Sequence, residues 1–132
     1  MKAKTGIHRY YEERPWGSFT QFISNTPATV KLITVAPKQS LSLQYHAKRR
    51  EFWHVLSGDG TVVLGTKKHT AKEGEEFIIE KGVTHRMRAG SKGLIILEIA
   101  TGRFDESDIV RLEDAYGRAK KRASPVSQKK RL

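Results

Sequence analysis

Short apolar runs punctuated by turn residues dominate the chain, and none is long enough to be an amphipathic helix. The pattern predicts strands at Ser18–Ile23, Thr29–Val35, Ser40–His46, Glu51–Leu56, Thr61–Leu64, Glu76–Ile79, His85–Ala89 and Leu94–Ala100. Several of these alternate apolar and polar positions, the two-residue period of a half-buried strand. Turn signals separate them: Pro37, the Ser57-Gly58-Asp59-Gly60 cluster, Gly65, Gly74, Gly82 and the Gly90-Ser91-Lys92-Gly93 cluster. Only residues 108–119 suggest a turn or short helix, and Asp114, Tyr116 and Gly117 argue against a longer one. Many short strands at this spacing predict an all-β sandwich or small barrel.

A length of 132 residues suits one domain. The chain has no cysteine, which excludes disulfides, thiolate metal sites and cysteine nucleophiles. The net charge of +11 suggests a nucleic-acid partner until it is located. Seven of the 25 basic residues lie in 118–132, a stretch without acids, leaving 18 basic against 14 acidic residues before it. The excess is therefore mostly a tail, and it reads as a solvated end with at most weak polyanion contact. Nucleic acid is not expected as a partner, since no recognition helix or aromatic platform accompanies the charge. Residues 1–17 lack an apolar run of signal-peptide length, and the greasy stretch Leu94–Leu97 is too short to span a bilayer. A soluble cytoplasmic protein without a membrane partner is the expectation.

Alternation places chemistry on one strand face. In Ser40–His46 the positions Ser40, Ser42, Gln44 and His46 share one side, and Leu41, Leu43 and Tyr45 the other. Glu51, Trp53 and Val55 share a face of the next strand, so two neighbouring strands could aim Gln44, His46 and Glu51 at one point. His85 heads a later strand. Amide oxygen, imidazole nitrogen and carboxylate oxygen suit Zn²⁺, Fe²⁺, Mn²⁺ or similar ions. His54 falls on the opposite face and is assigned a structural role, while His8 and His69 are read as surface residues.

These residues resemble the cupin superfamily. Gln44, His46, Glu51 and Gly58 fit its first motif, with glutamine replacing the usual first histidine. Gly74, Gly82 and His85 fit the second, with Glu80 where proline is usual. The segments Leu41–His46, Arg49, Glu51, Trp53 and Ser57-Gly58, flanked by Arg14-Pro15-Trp16-Gly17 and Asp108–Arg118, are similar to the type II mannose-6-phosphate isomerase family. That family includes the C-terminal half of bifunctional mannose-1-phosphate guanylyltransferases. The resemblance implies a double-stranded β-helix, the jelly-roll barrel of cupins. It would span 14–118, after an N-terminal segment 1–13 and before a basic, disordered tail 119–132. It also implies a homodimer.

The implied function is interconversion of mannose 6-phosphate and fructose 6-phosphate through a cis-enediolate, with one divalent ion, zinc first, held by Gln44, His46, Glu51 and His85. Ala47, Lys48 and Phe52 stand where bifunctional members often carry histidines. Without those histidines the proton-shuttling candidates are Glu98 and Lys48. Glu98 lies in an apolar run, where burial would raise its pKa. Arg49 is counted with them as a catalytic candidate. Phosphate-binding candidates are Lys48 and Arg49 near the ligand loop, with Arg14 and Arg118 added by resemblance. Arg86 and Arg88 fall opposite His85, outside the cavity. Trp16 and Trp53 are expected to pack, with sugar stacking open to Trp53. The rival expectations are another cupin sugar-phosphate isomerase and a non-catalytic sugar-phosphate or partner-binding module. Fold alone cannot separate them.

Overall fold

A computed structural model describes residues 6–103, 105 and 107–113, and these form an all-β architecture. The strands are β1 (Gly6–Arg14), β2 (Gly17–Ser24), β3 (Thr29–Val35), β4 (Leu43–Tyr45), β5 (Arg49–Leu64), β6 (Lys67–Lys72), β7 (Glu76–Ile79), β8 (His85–Gly102) and β9 (Val110–Glu113). No helix among the described residues is long and apolar enough to cross a membrane.

Two long strands organise the barrel, because each runs through both layers of one seven-stranded sheet. The first half of β5 lies between β7 and the second half of β8, which in turn pairs with β3. The second half of β5 lies between β6 and the first half of β8, which in turn meets β4, and β4 carries β9. The inward faces of both layers meet in one core: Val35, Trp53, Val55, Ile79, Leu94 and Ile96 from the first, Val62, Ala71, Met87 and Ala89 from the second. Outside the first layer, Phe22 and Ile23 of the β1–β2 hairpin cover Phe52 and Ile99.

The glycine clusters bend strands instead of ending them. Gly58 pairs with Leu94 and Gly60 with Ala89, so residues 90–93 of β8 stand opposite Asp59 alone. Asp59 accepts the Lys92 N–H at 3.2 Å, which helps tie down this large bulge. Such bulges turn a strand sharply without breaking its pairing. The expected turns at Ser57–Gly60 and Gly90–Gly93 are thus the corners where β5 and β8 pass from one layer to the other. Gly58 has φ +92°, and a Cβ there would stand 2.1 Å from the Gly93 carbonyl oxygen.

Other expectations change too. The segment before residue 14 contains β1, whose pairing partner is β2. Lys67–Lys72 forms a strand that its lysines and weak apolar content concealed. Within the stretch suggested for a turn or short helix, residues 110–113 form β9, because backbone pairing with β4 is available there. Residues 114–119, including Arg118, and the tail 119–132 lie outside the described residues. Trp16 is 71% exposed at the β1–β2 turn and does not pack as expected. His69 is half-buried against Phe77, with ring centroids 5.8 Å apart.

Candidate metal centre

The ligand candidates converge, though by a different route from two neighbouring strands. β4 and β5 do not pair; both flank β8. Gln44 is the Cα partner of His85 on one side and of Arg111 on the other. Directly opposed residues of antiparallel strands share a face, so Gln44, His85 and Arg111 form an inward row in the second layer. Trp53 pairs with Glu98, and Glu98 with Lys31, giving a second inward row in the first layer. His46, just after β4, and Glu51, near the start of β5, join the two rows.

His46, Glu51 and His85 are buried, and one ligand atom from each lies within 4.8 Å of the others. Glu51 reaches both imidazoles: Oε2 is 3.4 Å from His46 Nε2, and Oε1 is 3.8 Å from His85 Nε2. Two donors on one ion with bonds of about 2.0–2.2 Å stand roughly 3.0–3.6 Å apart; the His46–Glu51 spacing falls inside that range, and the His85–Glu51 spacing lies about 0.2 Å beyond it. The tautomers agree. His46 Nδ1–H donates to the Asp108 carbonyl at 2.6 Å and His85 Nδ1–H to the Val83 carbonyl at 2.9 Å, which leaves both Nε2 lone pairs facing Glu51. His85 Nε2 is buried and has no hydrogen-bond partner among the described residues. A buried imidazole nitrogen without a donor is costly unless something electropositive meets it. The group fits a divalent ion on this ground.

Burial, aided by the charge of Arg49, lowers the His46 pKa to about 4 against the pull of Glu51. Burial lowers that of His85 as well. Both rings are therefore neutral near pH 7, the form a metal requires. Burial alone would push the Glu51 carboxyl up, but His46 and His85, charged in the acid range where Glu51 takes up its proton, together with Arg49 outweigh it and hold it below the usual range. Gln44 is half-buried beside these three, its Nε2 at 3.3 Å from His46 Nε2 and its Oε1 accepting from Ser42 Oγ. Exchanging the amide ends would present Oε1 to the cluster.

Glu98 sits beside the cluster. It is buried, and one donor, Trp53 Nε1–H, is shared between Glu51 Oε1 at 3.1 Å and Glu98 Oε2 at 3.2 Å. Burial raises the Glu98 pKa to about 8, aided by the charge of Glu51 and a hydrogen bond with it; Lys31 and Arg49 oppose the shift. Arg49 is also buried. It donates from Nε to Glu51 Oε2 at 2.9 Å, from one terminal nitrogen to His46 Nε2 at 3.2 Å and from the other to the Asp105 carbonyl at 3.2 Å.

A scan against family models matches residues 2–114 to a family described as mannose-6-phosphate isomerase C-terminal. The chain belongs to that family. It is 41% identical over 107 residues to the xanthan biosynthesis protein XanB of Xanthomonas campestris pv. campestris, covering 80% of this chain and 23% of that one. It is 39% identical over 117 residues to the alginate biosynthesis protein AlgA of Pseudomonas aeruginosa, covering 87% and 24%. It is 36% identical over 115 residues to the mannose-1-phosphate guanylyltransferase ManC of Salmonella typhimurium, covering 84% and 24%. The chain thus spans about a quarter of these curated relatives. Among solved structures, the capsular polysaccharide assembling protein CapF of Staphylococcus aureus superposes with TM-score 0.60 at 21% identity, covering 80% of this chain and 34% of that one. KdgF from Halomonas superposes with TM-score 0.57 at 16% identity, covering 64% and 77%. The all-β cupin fold agrees with both.

The structure brings Gln44, His46, Glu51, His85, Glu98 and Arg49 together. Lys48 is exposed on the loop between β4 and β5. Arg14 is exposed on β1, where it pairs with Glu12 and lies 5.3 Å from the Phe19 ring centroid. Arg86 bonds the Leu41 carbonyl and Glu113, outside the cluster as expected, and Arg88 is exposed. His54 hydrogen-bonds Glu76 at 2.7 Å, a structural role. Trp53 is 1% exposed and too enclosed to stack on a sugar. Its role as a donor to two carboxylates was not foreseen, and neither were the inward positions of Lys31 and Arg111. Alternation would have found Lys31, which shares parity with the inward Ile33 and Val35 of β3.

Proposed function

We propose that this chain is a metal-dependent aldose–ketose isomerase acting on sugar phosphates, with mannose 6-phosphate and fructose 6-phosphate as its pair. The observation that carries the reading is the placement of Glu98. A buried carboxyl, its pKa raised to about 8 in the metal-free chain, stands one shared donor away from a ligand group suited to a divalent ion. Isomerisation needs a base that takes a proton from C2 and returns it to C1 at neutral pH, and a pKa near the working pH serves both directions.

Gln44, His46, Glu51 and His85 would hold the ion, for which zinc, manganese, cobalt and iron all suit the donor set. When bound, the ion supplies positive charge that polarises the substrate carbonyl. Glu98 carries the proton. Trp53 Nε1–H fixes the Glu98 carboxyl toward the same point as Glu51. Arg49 neutralises Glu51 and presents a guanidinium to substrate oxygens, and Lys48 at the loop offers a phosphate contact. Arg14 and Arg118 stay in the proposal as phosphate contacts from elsewhere in the chain. The reading includes a cytoplasmic location and a homodimer. The exposed Val30 (57%) and Leu32 (64%) of strand β3 support association, which light scattering would read directly.

The test is turnover. Protein loaded with Zn²⁺, Mn²⁺ or Co²⁺ should convert mannose 6-phosphate to fructose 6-phosphate in a coupled assay, and Glu98→Gln should abolish conversion while retaining the ion. Full activity in Glu98→Gln would remove Glu98 as the base. No conversion with any metal would remove the isomerase reading.

A further inference from the structure

The two histidines of the candidate centre are oriented by different means. His85 is held locally, by the Val83 carbonyl two residues earlier. His46 is held from 62 residues away, by the Asp108 carbonyl. Asp108 also grips the loop that carries His46. Its carboxylate accepts the backbone N–H of Ala47 at Oδ1 and of Lys48 at Oδ2, both at 2.9 Å. One residue thus contacts three successive positions, the imidazole of one and the amides of the next two.

Asp108 is itself fixed. Its N–H donates to the Asp105 carbonyl at 2.9 Å, and Asp105 Oδ1 accepts both the N–H and the hydroxyl of Ser107. The same Asp105 carbonyl accepts from Arg49, and Arg103 N–H donates to the Lys48 carbonyl at 3.2 Å. Just beyond, Val110 pairs with Tyr45, so the connection between β8 and β9 is pinned beside the ligand loop at both ends.

We propose that Asp108 is the positioning residue for His46: its carboxylate clamps the ligand loop so that the imidazole meets the Asp108 main-chain carbonyl, which keeps the tautomer and ring orientation that aim Nε2 at Glu51 and His85 and so tunes the affinity of the centre for its ion. The proposal rests on the metal-centre reading and deepens it. A carboxylate accepting two backbone amides makes charge-assisted bonds stronger than neutral ones, and groups that orient a metal-bound histidine commonly contribute 10- to 100-fold in affinity. Ala47 and Lys48 are exposed, so after removal of the carboxylate water can satisfy their amides and no buried orphan remains. The loss therefore falls on orientation more than on folding.

The experiment compares wild type with Asp108→Ala and Asp108→Asn by two readouts. The first is Zn²⁺ affinity in competition with a chromophoric chelator. The second is the ¹H–¹⁵N correlation of histidine side chains in metal-free protein, which separates the two neutral tautomers. Asp108→Ala keeps the main-chain carbonyl but releases the loop amides that hold His46 against it, so it should bind Zn²⁺ about 10- to 100-fold more weakly and show His46 as a mixture of tautomers while His85 stays Nδ1-protonated. Asp108→Asn keeps one acceptor oxygen and should fall between the two, which preserves the test if the alanine variant does not fold. Affinity within twofold of wild type, or an unaltered His46 tautomer, overturns the proposal. Failure of wild type to bind Zn²⁺ would instead count against the metal-centre reading, and the tautomer measurement would still decide the role of Asp108.

Discussion

Glu98→Gln gives a stability prediction that needs no substrate. In the metal-free folded chain the Glu98 pKa is raised from 4.5 to about 8. The folded protein then keeps a proton that the unfolded chain loses near pH 4.5. That proton's contribution to stability is complete below the unfolded value and fades as pH climbs through about 8. His46 and His85 have lowered pKa values, so their contribution has the opposite sign and is already fully present above pH 6.5. Between pH 7 and pH 9 the Glu98 contribution therefore stands apart. With folded and unfolded values of about 8 and 4.5, the loss over that interval is about 1.4 kcal/mol. For a chain of this size that is roughly 5 °C in melting temperature. Glutamine keeps an N–H donor for Glu51 and cannot titrate. Thermal melts of chelator-treated protein should show the wild type losing about 5 °C more than Glu98→Gln from pH 7 to pH 9. Parallel curves for the two proteins would refute the raised pKa, and with it the poised base.

Further outcomes follow from the same cluster. Arg49→Met leaves Glu51, 1% exposed, without its paired cation, and should cost the metal-free protein about 3–5 kcal/mol; urea unfolding with and without Zn²⁺ should show the ion restoring most of it. Trp53→Phe preserves a ring against His85 but removes the donor shared by Glu51 and Glu98, and should lower the urea-derived stability by about 1–3 kcal/mol. Gly58→Ala forces a Cβ to 2.1 Å from the Gly93 carbonyl oxygen at φ +92°; a loss of about 3 kcal/mol is expected from the clash and backbone strain, read as a depressed melting temperature.

The sequence made the inner chemistry legible where alternation was regular. Parity put Gln44 with His46 and Glu51 with Trp53, whereas the apolar run around Glu98 left its burial open beside an outward, ion-paired position. Alternation failed at the corners. β5 and β8 run through glycine clusters that read as turns, because a bulge and a hairpin draw on the same residues; only pairing distinguishes them. β9 was missed because a short strand needs its partner β4 to satisfy its backbone. β1 was missed because its charged residues pair with β2 and carry no apolar pattern. Trp16 shows that an aromatic at a hairpin turn need not find a core. Asp108 could not be foreseen as a support for His46, since contacts across 62 residues leave no local trace.

The central claim is that His46, Glu51 and His85, with Gln44, form one metal centre. Elemental analysis of purified protein, followed by Co²⁺ titration under visible absorption, tests it most directly. The account predicts one ion per chain, with tight binding in the wild type that His85→Ala abolishes. A wild type that takes up no ion, or a His85→Ala protein with an unchanged titration, would contradict it.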